Sequence, residues 1–161
     1  MRTLVAPVGE ATDAQDLQPI RLYTADLVLV ASVSPGDERV TDILNRGGDL
    51  RVLPAGAAPW DPDSWMWVTI DEMGIVVPPK HVSPAHKRVE RDRHTIRMRV
   101  VGWDVVGTAH LKPGAEQDAM LLSTQPFLPL TDATITSPEH PFPEVYDVVI
   151  VNLKHAEVVL D

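Results

Sequence analysis

The stretch LVLVASVSPGDERVTDILNRGGDLRVLP, residues 27–54, decides how this chain is read, because its order of signals returns in the second half. An apolar, β-branched run, Leu27 to Val33, leads into Ser34-Pro35-Gly36. Apolar spikes follow in a polar stretch, Val40, Ile43 and Leu44. A strand, Leu50 to Leu53, is then stopped by Pro54. In the second half Val105-Val106-Gly107-Thr108-Ala109 leads into Lys112-Pro113-Gly114. Ala119, Leu121 and Leu122 supply the spikes, and Phe127-Leu128-Pro129-Leu130 matches Val52-Leu53-Pro54. Residues 21–77 and 96–160 therefore share one ordering of β-forming segments and turns, which predicts an all-β chain with minor short helices, built by internal duplication.

Around these matched stretches the local signals are conventional. Leu22 to Ala25 reads as strand. Ser34 suits a helix cap, Pro35 the first helical position, and Asp37 the exposed N–H groups, so a short helix is expected from there to Asn45 and the Gly47-Gly48 pair. Met66 to Ile70 and Gly74 to Val77 read as strands joined by a turn at Asp71-Glu72. Ile96, Met98 and Val100 alternate with Arg97 and Arg99, the pattern of a half-buried strand, and Gly102-Trp103-Asp104 reads as a tight turn. Asp147 to Asn152 and Glu157 to Leu160 close the second copy. The expected organisation is an arm over 1–20, a first module over 21–79, a basic linker over 80–95 and a second module over 96–161.

Composition supports this. The chain has 161 residues, 44% of them hydrophobic, enough for a packed core. Fifteen prolines against nine glycines favour short strands and rigid loops over long helices. A net charge of -9 makes the molecule as a whole repel nucleic acid and anionic membrane. The absence of cysteine excludes disulfides and thiol catalysis and suits a reducing compartment, so a cytoplasmic location is expected. The apolar run Leu4 to Val8 is too short for a signal peptide, and no stretch approaches the roughly 20 apolar residues of a membrane helix.

The order of strands, turns and glycines resembles the small five-stranded Sm-like barrel. Val105-Val106-Gly107, Leu130-Thr131-Asp132-Ala133, and Val149-Ile150-Val151-Asn152 followed by Val158-Val159 carry the resemblance. Arg39-Val40-Thr41-Asp42-Ile43-Leu44-Asn45 is similar to the R-x-x-D-x-L-N element of an uncharacterised bacterial family of small β domains. The second copy departs from it with Glu116 to Ser123. The resemblance implies two tandem small five-stranded barrels of Sm-like or SH3-like type. Sm proteins bind RNA near Asp-x-Asn and Arg-Gly positions. Neither motif stands in this chain, so RNA binding does not carry over.

Two surfaces stand out. Seven of the fourteen basic residues lie between positions 80 and 99, opposed there only by Glu90 and Asp92. If the chain is extended from Arg91, then Arg91, Arg93, Thr95, Arg97 and Arg99 point the same way, about 6.6–6.8 Å apart. With Arg88 they form a candidate site for an anion or an acidic partner; the competing reading, which the number of acids elsewhere in the chain favours, is that they pair within the molecule. Trp60, Trp65 and Trp67 fall within eight residues. Tryptophan buries much area at small entropic cost, so these three are the candidate partner-binding residues, with filling of the seam between modules as the competing role.

The histidines offer no regular metal-ligand spacing, since His81 and His86 flank Pro84. Asp61, Asp63, Asp71 and Glu72 sit at turns, where acids serve the backbone. No catalytic set, metal site or cofactor is expected. The sequence leads to a non-catalytic interaction or assembly module that binds a protein partner or self-associates, without a membrane. The alternatives are nucleic-acid binding through the basic 87–99 segment and a small metal-dependent enzyme around His81, His86 and Glu139.

Overall fold

The computed structural model describes residues 16–80, 92–111 and 125–159. The first described part carries β1 (Gln18–Tyr23), β2 (Val28–Val33), the helix α1 (Val40–Arg46), β3 (Asp49–Pro54), β4 (Met66–Thr69) and β5 (Ile75–Val77). The remainder carries β6 (Asp92–Val100), β7 (Trp103–Leu111), β8 (Phe127–Thr136), β9 (Glu144–Asn152) and β10 (Ala156–Val158). Short 3-10 helices, Ile70–Glu72 and Leu153–His155, precede β5 and β10. The chain is mainly β, with its strands in one antiparallel ten-stranded sheet of order β10-β6-β7-β8-β9-β5-β1-β2-β3-β4. Among the described residues no helix is long and apolar enough to cross a membrane.

The sheet curls around two apolar clusters. One gathers Ile20, Leu22, Ala31, Val52 and Val76 under α1, which contributes Val40 and Leu44. The other gathers Ile96, Met98, Val105, Leu130 and Val149. Burying each large aliphatic side chain contributes about 1.5–3 kcal/mol. The clusters exchange members at β5 and β9. Ile75 reaches the second cluster, while Ile150 reaches the first. Alternation along each strand makes this possible, because neighbouring residues face opposite sides.

Curvature has a local cause. The β7–β8 register shifts between Val106 and Thr108, and Asp132 in β8 has φ 49. Gly107 lies at this bulge, where a Cβ would stand 2.9 Å from the Leu130 Cβ. A side chain there would push the strands apart and flatten the bend.

Several element boundaries differ from the sequence reading. β1 starts at Gln18 and includes Pro19, which the sequence placed in an arm. Pro19 pairs with Ser32 on one side, while β5 pairs only with Arg21 to Tyr23 on the other, so no donor is required of Pro19 there. Ser34 to Asp37 does not start the helix. The Glu38 N–H donates to the Pro35 carbonyl at 3.3 Å around Gly36, whose φ of 65 breaks helical geometry. The helix begins at Val40 with Arg39 as N-cap, and Gly47 ends it at φ 76, donating to the Leu44 carbonyl. The turn expected at Gly102-Trp103-Asp104 lies one residue earlier, at Val101 (φ 44) and Gly102 (φ 87), and Trp103 opens β7. β6 starts at Asp92, within the stretch read as linker. The matched features at 112–114 and 119–122 lie outside the described residues.

Candidate interaction surface

Among the described residues β4 is one edge of the sheet, bonded only to β3. Its approach is set by the turn around Asp61, whose carboxylate accepts from the Asp63 N–H at 2.9 Å and caps the 3-10 helix Pro62–Ser64. Trp65 then anchors the loop. Its indole N–H donates to the Pro59 carbonyl at 3.0 Å, and the Arg51 guanidinium lies 4.3 Å from its ring centroid. Arg51 is also the β3 partner of Trp67. The three tryptophans thus divide by role. Trp65 is half-buried and braces the loop, while Trp60 is 77% and Trp67 67% exposed. Met66 beside them is 39% exposed. No residue of β4 carries a charge.

The arginine stripe is partly described. Arg88 and Arg91 lie outside the described residues. Arg93, Arg97 and Arg99 all face outward from β6 with Thr95. Arg99 stands opposite Asp104 on β7 and Glu157 on β10, and its Nε lies 3.4 Å from Asp104. Cross-strand acids therefore flank one end of the stripe. His81 and His86 also lie outside the described residues. His94 belongs to β6, whereas His140 stacks on Trp103 with ring centroids 5.6 Å apart.

Other residues, not singled out from the sequence, tie the front and back of the chain together. The Arg21 guanidinium on β1 donates to Glu144 and to the Tyr146 hydroxyl on β9, both at 2.8 Å. Tyr146 donates to Glu144 at 2.6 Å and lies 3.4 Å from the Tyr23 hydroxyl. Burial pushes the Tyr146 phenol well above its ordinary value, reinforced by its hydrogen bond to Glu144. The Arg21 pKa is raised, first by its hydrogen bonding with Tyr23. Trp103 meets Tyr23 edge-on at 5.1 Å, so it, rather than the 60–67 tryptophans, packs where the two parts meet.

Two asparagines complete the joint. Asn45 on α1 donates to the Phe127 carbonyl at 3.3 Å and accepts from the Phe127 N–H at 2.8 Å. Asn152 at the end of β9 donates to the carbonyls of Asp71 and Met73. Lys154 bonds Asp71 at 2.6 Å, and this hydrogen bond holds the Asp71 carboxyl below its usual range. The detectable signal was a polar residue closing an apolar run, as in Ile43-Leu44-Asn45 and Ile150-Val151-Asn152. Its partners are remote in sequence.

No family model, curated protein or solved structure matches the chain.

Proposed function

We propose that this chain is a non-catalytic assembly module, made of two tandem Sm-like small barrels derived by duplication, that contacts a protein partner or a second copy through the β4 edge. The matched halves are supported by topology. β5-β1-β2-β3-β4 and β10-β6-β7-β8-β9 have the same order, with the fifth strand beside the first. In both, a 3-10 helix joins the fourth and fifth strands. The Ile70 N–H donates to the Gly48 carbonyl at 2.9 Å and the Leu153 N–H to the Pro126 carbonyl at 2.7 Å, at matching places.

The observation that carries the functional reading is a strand edge that is uncharged, unpaired among the described residues, and beside two exposed tryptophans. Isolated surface apolar residues need no explanation, but an edge strand with Met66 and Trp67 exposed on its two faces, approached by a loop carrying the exposed Trp60, is adhesive. The cytoplasm is the compartment this reading favours. Light scattering tests it. If the contact is with a second copy, the expected mass of wild type is above the 17.7 kDa of one chain, and Trp60→Ser with Trp67→Ser is expected to lower it. A mass above one chain that the double variant leaves unchanged counts against this surface.

A second reading, nucleic-acid binding along β6, is favoured by the outward alignment of Arg93, Arg97 and Arg99. It requires affinity that falls steeply with salt. Absence of binding at low salt removes it.

A further inference from the structure

We infer that the occupant of the β4 edge is the β4 edge of a second copy, in a closed two-fold pair, and that Glu157 blocks the opposite edge from joining the assembly. This rests on the reading of the β4 edge as the contact surface and adds the partner, the symmetry and the size.

The argument starts from the pairing already made inside the chain. β9 joins β5 with Ile75 opposite Val151 and Val76 opposite Ile150. All four are fully or almost fully buried. Among the described residues, the two outer edges of the sheet are β4 and β10. Their residues can be placed against the internal joint by register. Val76 pairs with the inward Leu22, and Val158 pairs with the inward Met98, so Glu157 takes the place of Ile75. At the other edge, Thr69 pairs with Asp49 as Asn152 pairs with Phe127, so Trp67 takes the place of Ile150.

The two free edges therefore differ in chemistry. A strand laid on β10 as β9 lies on β5 would cover the Glu157 carboxylate. Its cross-strand neighbour Arg99 is engaged by Asp104. Burying such a charge is unfavourable, and a charge placed on an edge strand prevents edge-to-edge addition. A repeat of the internal joint between copies, β4 onto β10, would propagate the sheet from chain to chain, and Glu157 opposes it. β4 carries no such guard. Met66-Trp67-Val68-Thr69 is uncharged, so a two-fold axis that sets the strand against its own copy brings no like charges of β4 together. Antiparallel pairing, the sense of every ladder in this sheet, is what a two-fold across the edge produces. Because β4 is short, the contact lies toward the small end of specific interfaces, below about 1,200 Å² of total buried area, and the pair dissociates on dilution.

The test is a concentration series of the full chain by light scattering, with amide hydrogen exchange of both edges. The expected result is a mass rising from one chain to two and stopping there. Slowed exchange in β4 would accompany the dimer, with none in β10. Trp67→Arg, at a position exposed enough to keep the fold by circular dichroism, holds the mass at one chain. Glu157→Arg leaves it at two, and Glu157→Val allows larger species. Wild-type growth beyond two chains, or slowed exchange in β10, overturns the closed pair while leaving the β4 surface as the contact. A dimer unaffected by Trp67→Arg overturns both. A wild type that stays at one chain at every concentration overturns the self-pairing and leaves the surface for a different protein.

Discussion

The Asn152 side-chain amide donates to the Met73 carbonyl at 2.9 Å, across 79 residues of sequence. The same residue's backbone N–H donates to the Gly74 carbonyl at 2.8 Å, and its Oδ1 accepts from the Lys154 N–H at 3.1 Å. It is the single buried polar or charged residue in the described core, 1% exposed, and its hydrogen-bonding capacity is used on both sides of the β9–β5 joint. Asn152→Ala leaves the Met73 carbonyl without this donor and costs about 1–3 kcal/mol. Asn152→Asp costs more, because a carboxylate then faces two carbonyl oxygens. Urea unfolding measures both. A shift in midpoint below that of an exposed control such as Thr69→Ala would show that the joint does not depend on this amide.

Asn45 makes the second tie, and its two hydrogen bonds to Phe127 have opposite polarity. That separates two variants. Asn45→Asp keeps the acceptor for the Phe127 N–H but sets a negative oxygen beside the Phe127 carbonyl. Asn45→Ala removes both bonds at a cost of about 1–2 kcal/mol. The expected order of stability is wild type, then the two variants, with Asn45→Asp recovering as pH falls below the carboxylate range. An aspartate variant as stable as wild type at neutral pH would argue that the Asn45 donor contributes nothing.

Much of the strand layout was legible because it is local. The alternation of Ile96, Met98 and Val100 with arginines announces β6, and Gly47 announces the end of α1. Reading failed where a residue acts against its own preference. Val101 is β-branched yet sits at φ 44, so residue preference alone places the hairpin turn one residue late, at Gly102-Trp103-Asp104. Ser34-Pro35 has the chemistry of a helix start, but Gly36 at φ 65 diverts the chain. At the interaction surface, tryptophan clustering was visible while the division between Trp65 and its exposed neighbours was not. That division depends on Arg51 arriving from β3 and on the Pro59 carbonyl. The ties of Asn45, Asn152 and Arg21 were invisible for a related reason, since their partners are set by which strands become neighbours in the sheet.

Gly107 tests the origin of the curl. An added Cβ would meet the Leu130 Cβ at 2.9 Å and the Ala133 Cβ at 3.2 Å, atoms fixed to strand backbone that cannot swing away. Gly107→Ala is expected to destabilise by about 1–3 kcal/mol through overpacking. For a chain of this size that lowers the thermal midpoint by about 2–4 °C per kcal/mol. Leu130→Ala in the same chain relieves the nearer branched side chain but not its Cβ, so the double variant is not rescued. Full rescue would place the clash in the outer Leu130 methyls and not in the approach of the two strands.

Tyr146 gives the joint a definite alkaline limit. Its hydroxyl accepts from Arg21 and donates to Glu144, and burial together with that donation keeps the phenol protonated above its ordinary range. In the unfolded chain the phenol titrates at about 10. Above that pH the folded state holds a proton that the unfolded state has released, so stability falls as pH rises. The contribution is complete below pH ~10 and is lost as pH climbs from there toward the raised folded value. The chain has two tyrosines, so phenolate absorbance resolves the event cleanly. Tyr146→Phe should remove the late-appearing phenolate and flatten the alkaline loss of urea stability. Parallel stability curves for wild type and Tyr146→Phe above pH ~10 would mean that the proton on Tyr146 is not what links the Arg21–Glu144 contact to pH.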